Sequence, residues 1–205
     1  MDSPIASDNE PEKEKTSTIK GRALHEVWDF FKIFIVALAI VLPIRYFVAQ
    51  PFIVNGASME PTFVDSNYLI IDELSYYFRN PVRGEVIVFR YPEDESKYFI
   101  KRVVGLPGET ISFYDSKVWI AESQAAAPEA VDELYLPAGL VTNGPTAPLM
   151  LQTAEYFVLG DNRPASFDSR RWGIVPRANI TGRVLMRVWP IGGAGLIPTP
   201  HYSFQ

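Results

Sequence analysis

Apolar and polar positions divide the chain into stretches of different rhythm. Residues 1–22 mix Ser, Thr, Pro, Glu and Lys with no apolar periodicity. Such a segment buries too little surface to offset the entropy of ordering, so a mobile tail is expected through residue 27. From Trp28 to Val48 the pattern reverses: Ile33 to Leu42 is uninterrupted apolar sequence, with Lys32 and Arg45 near the ends of the stretch. As a helix it would extend roughly 30 Å, the thickness of a bilayer's hydrocarbon core, with the two cations snorkelling and Pro43 kinking or ending it. A cleaved signal peptide and a buried soluble helix are the competing readings. The long acid-containing tail, and the absence of a small-x-small site before Pro51, favour a retained anchor over residues 28–48. Lys13, Lys15, Lys20, Arg22 and Lys32 precede the stretch and Arg45 follows it, which places the N-terminus in the cytoplasm and the remainder on the far side.

Beyond about Gln50 the rhythm shortens. Phe52 to Val54, Tyr68 to Ile71, Glu85 to Tyr91, Tyr98 to Val104, Tyr156 to Leu159 and Ile180 to Trp189 are β-branched or aromatic runs punctuated by Gly and Pro. The fold class expected is mainly β, with residues 49–108 and 154–205 forming one β-rich domain. Between Glu109 and Thr153 the pattern weakens. Ala125 to Ala130, with Pro128, Pro137, Pro145 and Pro148, suggests that 109–153 is a small inserted subdomain or a long excursion. No internal repeat is evident.

Composition narrows the chemistry. A chain of 205 residues with 47% hydrophobic and 21% charged residues suits one ordinary core, or a core plus an anchor. Its 19 basic and 24 acidic residues show no concentration of Lys and Arg, which argues against nucleic-acid binding. Cysteine is absent, removing disulfides, thiolate metal sites and a cysteine nucleophile. His25 and His201 stand near opposite ends of the chain, which argues against a zinc site and a Ser-His-Asp triad. Neither metal nor cofactor is expected, and a nucleophilic serine here would take a lysine as its base.

Three clusters remain to carry chemistry: Gly56-Ala57-Ser58-Met59-Glu60-Pro61-Thr62; Tyr98-Phe99-Ile100-Lys101-Arg102-Val103-Val104-Gly105-Leu106-Pro107-Gly108; and Gly160-Asp161-Asn162-Arg163 running on through Ser166-Phe167-Asp168-Ser169-Arg170-Arg171-Trp172-Gly173. Each has an ordinary explanation as a cap, an edge-protecting lysine or a turn with a surface ion pair. Lys101 fits its ordinary explanation least. Beyond the anchor only Lys97, Lys101 and Lys117 occur, and strand alternation sets Phe99, Lys101 and Val103 on one face against Ile100, Arg102 and Val104 on the other. One of the two cations must approach buried surface. Burial lowers a lysine's pKa, and a neutral amine near neutral pH is a competent base for a serine hydroxyl. Spacing alone does not bring Ser58 and Lys101 together.

Across these boxes, and across the chain in order, the sequence closely resembles type I signal peptidase, the membrane-anchored Ser/Lys protease that cleaves signal peptides from exported preproteins. The resemblance implies Ser58 as nucleophile, Lys101 as base, and a signal-peptidase-like β catalytic domain lying against the membrane behind one N-terminal transmembrane helix. It implies Ser166 as the serine that hydrogen-bonds the lysine amine, Asp161 paired with Arg102, and Asp168 paired with Arg170. Phe52, Val54, Met59, Phe99 and Ile100 match positions lining shallow substrate pockets that take small residues in an Ala-x-Ala pattern. The implied partners are preprotein signal peptides, the lipid bilayer and the secretion translocon, in a plasma (inner) or thylakoid membrane. Three departures stand out. Gly56 occupies a position where some relatives carry a serine that helps bind the oxyanion; Ser66-Asn67 stands in place of Gly-Asp; and Pro164-Ala165 replaces an acidic-then-Asn pair. A self-processing Ser/Lys protease and a tethered non-catalytic β module remain the alternatives. A penicillin-binding enzyme would need Ser-x-x-Lys on the exported side, and Ser17 to Lys20 lies before the anchor.

Overall fold

The run Val86-Ile87-Val88-Phe89 has no polar position, so a strand there needs apolar cover on both faces, and the fold supplies it. In the computed structural model, which describes residues 14–43, 50–123, 125–200 and 202–204, β3 (Val86–Tyr91) lies in the middle of the larger sheet. Val86 and Val88 enter a cluster with Met59, Phe63, Leu69 and Ile71, whereas Ile87 and Phe89 enter a second with Val103, Tyr156 and Val158. The alternation is the ordinary period of two; here both phases are buried.

The other strands of this sheet are β1 (Gln50–Ile53), β2 (Tyr68–Asp72), β4 (Asp94–Gly105), β9 (Glu155–Leu159), β10 (Val175–Pro176), β11 (Ile180–Trp189) and β12 (Gly195–Leu196). Their order is β1-β2-β11-β3-β4-β9-β10, with β12 on β11. β5 (Thr110–Tyr114), β6 (Lys117–Ala121), β7 (Glu129–Asp132), β8 (Leu149–Met150) and β13 (Ser203–Phe204) form a second sheet in the order β13-β7-β6-β5-β8. Short helices α2 (Ser75–Phe78) and α3 (Ser169–Trp172) lie between strands.

Residues 109–153, expected to form a small inserted subdomain or a long excursion, contribute β5, β6, β7 and β8 to this second sheet. Ile111, Val118 and Ile120 share a cluster with Val104, Phe157 and Leu159 of the first sheet, and the whole of Arg45–Gln205 is one compact unit.

Two edges matter for the site. Among the described residues β1 pairs only with β2, so no described strand lies on its outer side. Of β4, Arg102, Val103 and Gly105 pair with β9, which leaves the run from Asp94 to Lys101 with β3 on one side and, among the described residues, no strand on the other.

The remaining unit, Met1–Ile44, contains the helix α1 (Glu14–Pro43). It begins within the segment read as a tail. Among the described residues no helix is long and apolar enough to cross a membrane, so the expected span does not stand on α1 by itself. Glu26, Asp29 and Lys32 enter the helix just before its apolar run, with Lys32 bonded to Asp29 at 3.1 Å. Residues 1–13 of the expected tail, 44–48 at the end of the expected anchor and residue 49 lie outside the described residues.

Candidate active site

Ser58 sits in the turn that follows β1, and three contacts fix that turn. Met59 is fully buried in the first core cluster, at 0% exposure, and pins the turn from below. Asn162 donates its backbone N–H to Ser58 O and its side-chain amide to Ala57 O, both at 3.1 Å. Gly56, at φ +88, gives its N–H to the Asp65 carboxylate at 2.7 Å, a bond that holds the Asp65 carboxyl below its usual range. A residue with a Cβ is strained at that φ, so Gly56 is a backbone requirement here. Gly160 is a requirement of space: a Cβ there would lie 2.2 Å from Ser166 Oγ and 2.4 Å from Ser58 O.

β4 brings the amine. Both of its faces are buried at this point, so the choice posed by the sequence resolves as both: Lys101 is 4% exposed and Arg102 is 2% exposed. Lys101 Nζ lies 2.7 Å from Ser58 Oγ and donates to Ile100 O at 2.8 Å. Burial pushes its pKa down to about 8, against the opposing pull of the Asp168 and Asp161 carboxylates. Neither acid comes within ion-pair distance of it. A neutral amine has two N–H groups and one lone pair; with one N–H on Ile100 O, the lone pair is free to face the serine hydroxyl.

Arg102, one residue along, is in the opposite condition. Its Nε and Nη2 bind the two Asp161 oxygens at 2.8 and 2.6 Å, its Nη1 binds Gly84 O at 2.8 Å, and its guanidinium lies 4.2 Å from the centre of the Tyr135 ring. Thr62, from the Ser58 turn, donates to Asp161 at 2.6 Å. Asp168 holds Arg170 through Nε and Nη2, both at 2.8 Å. Burial works to raise Asp168, but Arg170, Ser166 and the Gly160 N–H together hold its carboxyl below the usual range.

Two expected site residues are placed differently. Ser166 is buried, but its Oγ has no partner at hydrogen-bond geometry and does not bond the Lys101 amine, whose contacts are Ser58 and Ile100 O. Its proximity to Asp168 accounts for its part in keeping that carboxyl ionised. Met59 is core beneath the turn and does not line the cleft. Phe52, Val54, Phe99 and Ile100 do line it, in a hollow of about 310 Å³ that also includes Ser58 and Lys101. The sequence reading missed Leu69, Val88, Tyr98 and Phe167 in the same lining.

It also missed a polar network behind the site. Arg163 is bound by Glu133 at 2.6 and 2.5 Å, by Thr142 at 2.7 Å and by Gly160 O at 3.0 Å. Tyr135 donates to Glu133 at 2.5 Å and accepts from Tyr202 at 3.1 Å. Residues 133–142 therefore brace the third box, and the only sequence signal for this was the presence of Arg163 in that box.

A hydroxyl touching a desolvated amine, between two open strand edges and over a hollow, is an arrangement that can serve a serine hydrolase with an amine in place of the usual imidazole. Comparison with known proteins agrees with that class and narrows it. The family model described as signal peptidase, peptidase S26, matches residues 27–189. "Probable signal peptidase I-2" of Synechocystis sp. (strain ATCC 27184 / PCC 6803 / Kazusa) is 35% identical over 190 residues, covering 89% of this chain and 83% of its own. "Signal peptidase I" of Leptolyngbya laminosa is 37% identical over 175 residues, covering 81% and 82%. A solved signal peptidase I from Enterococcus faecalis V583 aligns with 52% of this chain and 97% of its own at 30% identity and a TM-score of 0.42. The chain belongs to the signal peptidase family, peptidase S26, and is a serine endopeptidase.

Proposed function

We propose that this chain removes signal peptides from exported preproteins by a Ser58 nucleophile with Lys101 as its general base. The observation that carries the reading is the 2.7 Å contact between Ser58 Oγ and an amine buried away from acids. The cleavage segment enters as an extended strand between the open sides of β1 and β4, where backbone pairing supplies affinity. Side chains at the first and third positions before the scissile bond enter the hollow over Phe52, Val54, Leu69, Val88 and Ile100. The floor is already filled by core packing, so small residues of the Ala-x-Ala type fit it.

Neutral Lys101 takes the Ser58 proton, and Oγ attacks the scissile carbonyl. Lys101 then gives the proton to the leaving amine, and water, activated by the same amine, releases the acyl-enzyme. The Ser58 backbone N–H makes no hydrogen bond among the described residues and is free to receive the oxyanion. The Gly56 N–H is committed to Asp65 and contributes nothing there.

Membrane attachment completes the proposal. Phe30, Phe31, Ile33 to Val36, Leu38 and Ile40 to Leu42 present exposed apolar side chains on α1, and beyond Pro43 the sequence stays apolar to Val48 apart from Arg45. That stretch would hold the enzyme on the bilayer in which its substrates are embedded, with the N-terminus cytoplasmic and the catalytic unit on the exported side, close to the translocon. Incubating a preprotein with wild type, Ser58→Ala and Lys101→Met tests the catalytic reading. Cleavage by wild type alone is expected. Cleavage by either variant contradicts it, and self-cleavage without preprotein points to the autoprocessing alternative.

A further inference from the structure

On the reading above, the substrate lies as a strand beside the open run of β4, and successive side chains of such a strand point to opposite faces of the sheet. The first and third residues before the scissile bond share the face of Ile100, over the hollow floored by Phe52, Leu69 and Val88. The residue between them must point the other way, to the face that carries Phe99.

That face is walled by aromatic rings. Phe99 stacks on Tyr91 at 4.7 Å, and Phe167 meets both edge-on, at 6.5 Å from Phe99 and 6.1 Å from Tyr91. Trp172 backs Tyr91 at 5.7 Å. Phe167 follows Ser166 directly, lines the same cleft as Ser58 and Lys101, and is 48% exposed. Beside it Ala165 is small and exposed, so the space in front of the rings stays open. Phe167 is thus the solvent-facing ring of an aromatic cluster at the cleft that holds Ser58 and Lys101.

We infer that Phe167 and Phe99 form a subsite for a bulky apolar side chain at the second position before the scissile bond, making Phe167 a specificity-determining residue of this enzyme. The inference rests on the proposed cleavage reading. The two small flanking residues admit the chain to the site, and the residue between them adds selectivity by covering the exposed ring. Polar or acidic side chains at that position gain nothing from the wall and would desolvate against it.

The test uses the full-length enzyme and preprotein cleavage segments that differ only at the second position, carrying Leu, Phe, Ala or Asp, with Ala fixed at the first and third. Wild type should cut the Leu and Phe substrates with kcat/KM about tenfold above the Asp substrate, the scale of one added apolar contact. In Phe167→Ser that ratio should fall to about one, and in Phe167→Leu it should be largely restored. Thermal unfolding of both variants separates a lost subsite from a lost fold. Wild type indifferent to the second position, a wild-type ratio retained in Phe167→Ser, or an altered preference at the first or third position instead, overturns the inference while leaving the Ser58 and Lys101 assignment intact. Equal cutting of the set by Ser58→Ala overturns the cleavage reading itself.

Discussion

Lys101 and Arg102 are neighbours on one strand, both buried and both cationic by nature, yet the protein treats them in opposite ways. Around Arg102 it places a bidentate carboxylate, a carbonyl and an aromatic face, and those partners keep the guanidinium firmly protonated despite its burial. Around Lys101 it places a hydroxyl, one carbonyl and the Phe99 ring at 5.7 Å, and burial wins. The difference teaches where rigidity and reactivity are located. A fully partnered buried cation keeps its charge and holds strands together, whereas one without an ion-pair partner gives up its proton more readily.

The comparison breaks most dramatically at the reactive residue. Ser58→Ala or Lys101→Met should lower preprotein turnover by at least about 10³-fold, as in other enzymes that lose a nucleophile or its base, measured by single-turnover cleavage. At the partnered residue the effect should be on folding. Asp161→Ala leaves Arg102 buried without its counter-ion, which should cost about 3–5 kcal/mol, measured by urea unfolding.

Lys101→Met should do the reverse to stability. The amine's folded pKa of about 8 lies below its ordinary 10.5, so the native state disfavours the proton and the difference corresponds to about 3 kcal/mol. Below pH 8 both native and unfolded chains carry the proton and the penalty is fully present. Between about 8 and 10.5 the unfolded chain binds more protons, so wild-type stability rises with pH through that window. Lys101→Met should be more stable than wild type at pH 7, with the gap closing above pH 10. Smallest is Tyr135→Phe, which removes the hydroxyl shared by Glu133, Arg163 and Tyr202 but keeps the ring under Arg102. It should cost about 1 kcal/mol and leave the pH dependence of cleavage where it is.

The two neighbours also mark how far sequence carries. Val86 to Phe89, Ile180 to Trp189 and the strands that begin near Phe52, Tyr68, Tyr98 and Tyr156 are readable because burial writes itself as β-branched and aromatic runs, whereas the two-residue strands β10 and β12 of the same sheet leave no such run. Lys101 was readable because a lysine amid such a run, in a region with few others, conflicts with its surroundings. The second sheet was not readable. The β5–β6 hairpin turns through Asp115 and Ser116, both at positive φ without the glycine that usually signals it, and β13 reaches β7 from the far end of the chain. Arg163's partners Glu133 and Thr142 come from that same region, so no local pattern pointed to them. Met59 and Ser166 show the limit of matching positions: both stand beside the site as the resemblance implies, but one faces the core and the other has no bond to the amine.

The most direct test of the central claim is the pH dependence of kcat/KM for preprotein cleavage by the full-length enzyme. With an amine of pKa about 8, roughly half is neutral at pH 8 and about a tenth at pH 7, so the rate should rise through a single ionisation centred near 8. A profile that stays flat across that range, or climbs only near the ordinary lysine value of 10.5, contradicts a base made by burial.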